Sequence, residues 1–112
     1  MSNYGGMNGM NGGMNGANMQ ALMKQAQALQ KEVLKAQEEF EQTVIEGVAA
    51  NGYVKIVMNG RYDISSVKIN PRIVNASDTE MLEDLIAVAF RNANEKIIQL
   101  RKEKLGKFKG MF

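Results

Sequence analysis

The most regular pattern of apolar residues lies between positions 19 and 40, where they recur at alternating spacings of three and four. This spacing places all of them on one stripe of an α-helix, like the a and d positions of a heptad repeat. The pattern predicts a long first helix that ends near Gln42, where the β-type run Thr43-Val44-Ile45 begins. The residues of the stripe are Met19, Leu22, Ala26, Leu29, Val33, Ala36 and Phe40.

From residue 43 to residue 70 the apolar positions change to a period of two, which is typical of β-strands. Val54, Ile56 and Met58 alternate with other residues between two dipeptides, Asn51-Gly52 and Asn59-Gly60. Asn-Gly suits a type I′ turn, because both residues tolerate a positive φ. We therefore predict three antiparallel strands joined by two such turns. The strands lie at about 43–50, 53–58 and 61–70.

The third predicted strand contains a slip in this period between Ile64 and Val67. We interpret Ser65-Ser66 as a β-bulge, which would keep Val67 and Ile69 on the core face. Pro71 lacks an amide hydrogen, so the strand ends before it.

A second helix is predicted after residue 77. Ser77-Asp78-Thr79-Glu80 matches the capping box Ser/Thr-x-x-Glu, and Gly106 is the expected stop. Between them a second apolar stripe runs at helical spacing. It consists of Leu82, Leu85, Ile86, Ala89, Ala93, Ile97 and Leu100.

These elements predict an α+β fold: a long helix, a three-stranded antiparallel sheet and a second long helix. We expect residues 17–106 to form a single domain and residues 107–112 to form a basic C-terminal tail. Residues 1–16 carry no charged side chain and are almost entirely Gly, Asn and Met. Such a segment buries too little apolar surface to offset its chain entropy, so we expect a disordered tail.

The lengths of these elements suggest how they associate. A helix of about 25 residues is roughly 37 Å long, whereas a six-residue strand covers roughly 20 Å. We therefore expect about half of each helix to overhang the sheet. Since an exposed apolar stripe is unfavourable, the overhangs should pack on each other or on a second copy of the chain.

Charge is distributed unevenly along both helices. Residues 91–112 hold seven cationic and two acidic side chains, a net charge of +5, and residues 17–35 have a net charge of +2. Residues 36–46 and 77–90 hold eight acids and no base. We interpret this as helices that are acidic near the sheet and basic away from it, a form suited to phosphate backbones. The alternative is that the lysines and arginines only solvate exposed surfaces.

Composition excludes several classes of site. The chain has no cysteine and no histidine, which removes disulfides, the common zinc sites and the usual catalytic triads. A metal site built from Glu38, Glu39 and Glu41 is disfavoured, because those acids lie on successive faces of the helix. We expect no enzymatic activity, cofactor or small-molecule substrate. The longest apolar run is Leu85–Phe90, and with no signal peptide in view we expect a cytoplasmic protein without a membrane span.

Several short segments resemble the YbaB/EbfC family of nucleoid-associated proteins. The first helix does so through Asn18-Met19-Gln20, the run from Leu22 to Gln27, and Ala36-Gln37-Glu38-Glu39. The later segments are Val54-Lys55, Met58-Asn59-Gly60, Val67-Lys68-Ile69-Asn70-Pro71, Glu80-Met81-Leu82-Glu83-Asp84-Leu85-Ile86 and Asn92-Ala93. The resemblance extends from about residue 17 to residue 105.

The resemblance implies a homodimer with protruding helical arms that binds double-stranded DNA with little sequence selectivity in a nucleoid. Basic side chains would displace counterions from the phosphates, so that affinity falls as salt rises. The alternative function is a dimeric helical adaptor that binds other proteins and not DNA. The candidate DNA-binding residues are Lys24, Lys31, Lys35, Arg91, Lys96, Arg101, Lys102, Lys104, Lys107 and Lys109.

Overall fold

The fold is a three-stranded antiparallel sheet that is preceded and followed in the chain by a long helix, which confirms the predicted α+β class. The structure is a computed structural model that describes residues 18–110 and gives residues 2–17 only as part of the first helix. The strands lie in the order β1-β2-β3. The elements are α1 (Ser2–Gln42), β1 (Val44–Ala49), β2 (Val54–Asn59), β3 (Ile64–Ile69) and α2 (Thr79–Leu105).

The chain divides into two units, Met1–Leu34 and Lys35–Phe112. In the first unit the described side chains of the heptad stripe, among them Met19 and Leu22, are mostly exposed. The predicted disordered tail over 1–16 falls outside the described residues. The predicted single domain over 17–106, the basic tail over 107–112 and the homodimer stay predictions. No helix within residues 18–110 combines the length and the apolar character needed to cross a membrane.

The core of the second unit forms where α2 packs on β1 and β2. Val54, Ile56 and Met58 are buried on β2, in strict alternation with half-buried residues, as the period of two predicts. Ala89, Ala93 and Ile97 are completely buried on the facing side of α2. Small residues at two of these three helix positions let the helix lie close to the sheet.

Gly47 of β1 is the point of closest approach between the sheet and α2. A Cβ atom at this position would lie 2.2 Å from the carbonyl oxygen of Ala89 and 2.6 Å from the Cβ of Ala93. Two side chains of α2 then bond to the free edge of β1 on either side of this glycine. The Asn92 side-chain oxygen accepts from the Val48 amide at 3.0 Å. Lys96 Nζ donates to the Glu46 carbonyl at 2.7 Å.

β3 contains the predicted bulge. Val57 is opposite Ser66 and Met58 is opposite Ile64, so Ser65 is the extra residue, and its hydroxyl donates to the Val57 carbonyl at 3.2 Å. The bulge therefore returns the apolar side chains of β3 to the face that carries Met58. Yet Ile64 and Val67 stay about half exposed. The prediction that Val67 and Ile69 lie on the core face is confirmed, since they stand opposite the buried Ile56 and Val54. Val67 is nevertheless exposed, because α2 packs on β1 and β2.

The two Asn-Gly turns differ. Asn51 and Gly52 both have a positive φ, and the Tyr53 amide donates to the Ala50 carbonyl, which confirms the type I′ turn. At the second turn the prediction is wrong. The Tyr62 amide donates to the Asn59 carbonyl, so that Gly60 and Arg61 are the central residues.

The residue with positive φ in this second turn is Tyr62, at 65°, and not Gly60. A bulky residue seldom adopts this conformation. The Tyr62 hydroxyl donates to Asn94 of α2 at 2.7 Å, which holds the turn to the helix. Gly60 is needed for a different reason. A Cβ there would lie 2.2 Å from the carbonyl oxygen of Phe40, at the end of α1.

The ends of α2 are set by single residues. The N-cap is Asp78, whose carboxylate accepts from the Met81 amide at 3.2 Å, so the predicted capping box starting at Ser77 is wrong. Ser77 instead donates its amide to the side chain of Asn75. At the other end α2 stops at Leu105, with Gly106 as its C-cap, as predicted.

Candidate nucleic-acid interface

The basic end of α2 is packed against the rest of its unit. Apolar side chains from Leu82 to Leu105 contact the core along the whole helix. The part of α2 that extends past the strands is therefore covered within its own unit. The surface that α2 covers is longer than the strands alone, because Phe40 of α1 and Ile73 after β3 extend the core beyond the sheet.

The basic end of α2 consequently lies beside the end of α1 and the turn between β2 and β3. The guanidinium of Arg101 lies over the Phe40 ring, 5.3 Å from its centroid. This is the spacing of a cation–π contact, which stabilises by about 0.5–1 kcal/mol at an exposed site. The cationic end of α2 is therefore not held out from the sheet as predicted. It lies beside the turn between β2 and β3, where Leu100 and Leu105 contact the core and Arg101 contacts the Phe40 ring.

A cleft of about 740 Å³ opens between these three elements, and all of its lining belongs to the unit Lys35–Phe112. Four cationic side chains and one acidic side chain line it. The acidic one is Glu41 of α1. The cationic ones are Arg61, Arg101, Lys102 and Lys109.

Few carboxylates pair with the cations of this cleft. Arg61 forms an ion pair with Asp63 at 3.8 Å, and both side chains are about two-thirds exposed. In the described part of the chain, Arg101, Lys102 and Lys109 form no ion pair with a carboxylate. All three side chains are exposed. A concave surface with this excess of positive charge attracts anions.

The structure brings some of the predicted DNA-binding residues together and separates others. Five lie on or just beyond the last turns of α2. Arg91 is exposed on the middle of α2. Lys24, Lys31 and Lys35 are exposed on α1, the first two in the other unit. The five at the end of α2 are Arg101, Lys102, Lys104, Lys107 and Lys109.

Lys96 differs from the other predicted residues because its ammonium group bonds to the edge of β1. Its assignment to DNA stays a prediction, but this bond gives it a structural role that the sequence did not suggest.

Arg61 is the cation of the cleft that sequence reasoning missed. It stands alone in a strand-turn segment, outside both basic stretches, so charge counting does not select it. It reaches the cleft because Gly60 packs on the backbone of Phe40. This position depends on how α1, the turn between β2 and β3, and α2 pack together. The Asn59-Gly60 dipeptide predicts a turn but does not predict which residues the turn contacts.

Comparison with known proteins assigns the family. The model of the YbaB/EbfC DNA-binding family matches residues 14–112. The chain belongs to the YbaB/EbfC DNA-binding family. This confirms the resemblance found in the sequence, and a DNA-binding family is consistent with a cationic cleft.

Relatives within the YbaB/EbfC family carry the name nucleoid-associated protein. One from Dictyoglomus thermophilum is 49% identical over 72 residues, which are 64% of this chain and 69% of the relative. One from Chloroflexus aurantiacus is 40% identical over 82 residues, 70% of this chain and 82% of the relative. One from Corynebacterium diphtheriae is 44% identical over 72 residues, 64% of this chain and 68% of the relative.

The carboxylates of this YbaB/EbfC protein form no metal site in the part that the structure describes: no three of its acidic side chains converge there. Glu41 lines the cationic cleft, while the Glu38 carboxylate accepts from the side-chain Nε2 of Gln42 at 3.4 Å. These acids therefore lie in different surroundings.

Proposed function

We propose that this protein binds duplex DNA as a nucleoid-associated homodimer, mainly through the cationic end of α2, and that it does so with little sequence selectivity. The observation that carries the proposal is the convergence of Arg61, Arg101, Lys102 and Lys109 on one cleft, against the single acid Glu41. Family membership makes DNA the anion to consider first.

Phosphates, and not base edges, are the expected contacts. Lysines outnumber arginines ten to four in the chain, and an ammonium group contacts phosphate as a point charge without reading a base. Base readout in the major groove relies on bidentate Arg, Asn or Gln side chains grouped on one inserted helix. The last two turns of α2 offer only Gln99 and Arg101 of these types, and Arg101 lies on Phe40.

The salt dependence of binding to random-sequence duplex tests the site. The variant Arg101→Gln/Lys102→Gln/Lys109→Gln should bind at least about tenfold more weakly, and its log–log salt slope should be smaller by about 0.9 for each phosphate that the variant no longer neutralises. The matched control Lys55→Gln/Lys68→Gln/Arg72→Gln removes the same charge from outside the cleft and should change affinity by less than about threefold. Equal reductions in affinity in both variants would mean that net charge, and not this surface, determines binding.

A further variant, Lys24→Gln/Lys31→Gln/Lys35→Gln, measures how much the predicted residues of α1 contribute to duplex affinity.

The proposed lack of sequence selectivity has its own test. Duplexes of different base composition should bind with affinities within about threefold of one another, because phosphate contacts carry no sequence information. A preference of a hundredfold for one sequence would contradict this part of the proposal.

Self-association is supported by the apolar face that α2 leaves uncovered. Ile64 and Val67 of β3 are 52% and 48% exposed and lie on the same face of the sheet. An exposed apolar patch of this kind is typical of an interface. A second copy related by a two-fold axis would cover the patch with its own equivalent.

Light scattering after size exclusion tests the homodimer. The unmodified chain should elute as a dimer, and Ile64→Glu/Val67→Lys should elute as a folded monomer. Val44→Glu is the control, because Val44 is 73% exposed on β1, the opposite edge strand. A dimer that withstands the double substitution would place its interface elsewhere, for instance on the exposed stripe at Met19 and Leu22 of α1.

A further inference from the structure

The cationic cleft is larger than a phosphate contact requires. At about 740 Å³ it falls within the range of about 300–1,000 Å³ found for sites of small organic ligands. A phosphate of a DNA backbone lies on a surface and does not fill a volume of this size. The cleft therefore offers space that duplex binding leaves unused.

Part of the lining of the cleft is apolar, and we call this part the floor. Phe40 and Leu105 line it, and three of its other positions, Gly60, Gly106 and Gly110, have no side chain to fill it. The Arg101 guanidinium also lines the cleft while lying over the Phe40 ring. A guanidinium plane stacks on aromatic rings, including the bases of nucleic acids. The floor is thus suited to a flat aromatic group.

The charged part of the lining is suited to an anion. Besides Arg101, the cations Arg61, Lys102 and Lys109 line the cleft, and Glu41 is the single acid. Lysine and arginine side chains hold phosphates by charge-assisted hydrogen bonds. An apolar ligand would leave these charges without partners, and inorganic phosphate would leave the floor uncovered.

We propose that the cleft binds a nucleoside phosphate, with the base on the floor beside Arg101 and the phosphates held by Lys102, Lys109 and Arg61. The ligand is either a free nucleotide or the phosphorylated end of a nucleic-acid strand, since both present the same chemistry. This site does not require that the protein bind duplex DNA.

Calorimetric titration of the full chain with three probes separates the contributions of ring and charge. Adenosine 5′-triphosphate has both, tripolyphosphate has only the charge, and adenosine has only the ring. The triphosphate should bind at least about tenfold more tightly than either of the others, because stacking of one base contributes about 1–3 kcal/mol. The proposal is overturned if neither adenosine triphosphate nor a phosphorylated strand end binds more tightly than tripolyphosphate, because the floor then takes no part.

A second arm distinguishes the two sources of the ligand. Single-stranded oligonucleotides with a 5′-phosphate or a 5′-hydroxyl end are compared at equal length. Tighter binding of the phosphorylated strand by about tenfold, together with weak binding of free triphosphate, assigns the site to strand ends. Tight binding of the free triphosphate assigns it to nucleotides. If neither the phosphorylated strand nor the free triphosphate binds more tightly than tripolyphosphate, the proposal fails.

Gly106 permits a variant that fills the cleft and keeps every charge. Its φ of −59° suits any residue, and no atom lies within 4 Å of a Cβ placed there. Gly106→Leu should weaken triphosphate binding by about tenfold and leave tripolyphosphate binding unchanged. Undiminished triphosphate binding by a folded Gly106→Leu protein would overturn the proposal.

Arg101→Lys provides a second test if the filled variant does not fold. It keeps the charge and removes the planar group, so triphosphate should lose about fivefold in affinity while tripolyphosphate binding stays unchanged. Lys68→Gln, on exposed β3, is the control and should bind all probes as the unmodified chain does. Duplex binding is measured separately on each variant. A failure of the nucleotide site is thereby distinguished from a failure of the proposed duplex binding.

Discussion

The two edge strands of the sheet, β1 and β3, both place apolar side chains on the face that carries Met58, but in very different surroundings. Ile45 of β1 and Ile64 of β3 both stand opposite Met58 of the central strand. Ile45 is 7% exposed, whereas Ile64 is 52% exposed. The difference arises because α2 packs on β1 and β2 and leaves β3 uncovered.

What fixes α2 over β1 is a set of contacts that β3 does not offer. Gly47 admits the helix backbone, and Asn92 and Lys96 satisfy polar groups on the β1 edge. A sheet edge with unpaired backbone groups invites pairing with another chain, so this edge is protected. β3 is the other edge strand, and the apolar side chains of Ile64 and Val67 on it stay about half exposed.

The largest effect on stability is expected from adding a side chain at Gly47, where α2 lies closest to the sheet. Gly47→Val places a side chain where the carbonyl oxygen of Ala89 now lies, so α2 must move away from β1. We expect the free energy of unfolding to fall by about 4 kcal/mol, above the range of about 1–3 kcal/mol typical of overpacking, because helix backbone must move. Thermal and urea unfolding, measured at one protein concentration, check this.

Gly106→Ala is the matched control for Gly47→Val. It adds a side chain at a position with negative φ and open surroundings, so stability should stay the same or rise by up to about 1 kcal/mol. A Gly47→Val protein as stable as this control would mean that α2 does not need the close approach.

The second prediction compares the two isoleucines opposite Met58. Ile45→Ala removes buried methyl groups and should lower the free energy of unfolding by about 3 kcal/mol. Ile64→Ala removes exposed ones and should lower the stability of the monomer by less than about 1 kcal/mol. Urea unfolding in dilute solution, where the monomer predominates, gives both values, and equal reductions in stability would remove the contrast between the edges.

A smaller effect on stability is expected when the Val48 amide on the edge of β1 loses its hydrogen-bond acceptor. Asn92→Ala leaves the half-buried Val48 amide without its acceptor and should destabilise the fold by about 1–2 kcal/mol. Hydrogen exchange at the Val48 amide should rise in the same variant. Gln99→Ala, at an exposed position of α2, is the control and should stay within about 0.5 kcal/mol of the unmodified chain.

The smallest effect is expected at Lys96. Lys96→Met removes the bond to the Glu46 carbonyl but keeps most of the aliphatic side chain, so stability should fall by only about 1 kcal/mol. If Lys96 is structural, duplex affinity in this variant should change by less than about twofold. A reduction in duplex affinity as large as that of Lys102→Gln would instead assign Lys96 to DNA.

Local pattern alone predicted much of this protein. The element order, the bulge at Ser65, the type I′ turn at Asn51-Gly52 and the stop at Gly106 each depend on a few neighbouring residues. Such features follow from backbone propensity and from the period of the side chains, both of which a sequence contains.

Only the tertiary structure decided which apolar face is covered and where the cations meet. Val67 lies on the expected face but is exposed, because face and coverage are separate properties and coverage depends on where α2 lies. Arg61 and Arg101 are 40 positions apart in the sequence and line one cleft. Their meeting depends on the backbone contact of Gly60 with Phe40 and on the ring beneath Arg101, contacts between distant residues that no local pattern encodes.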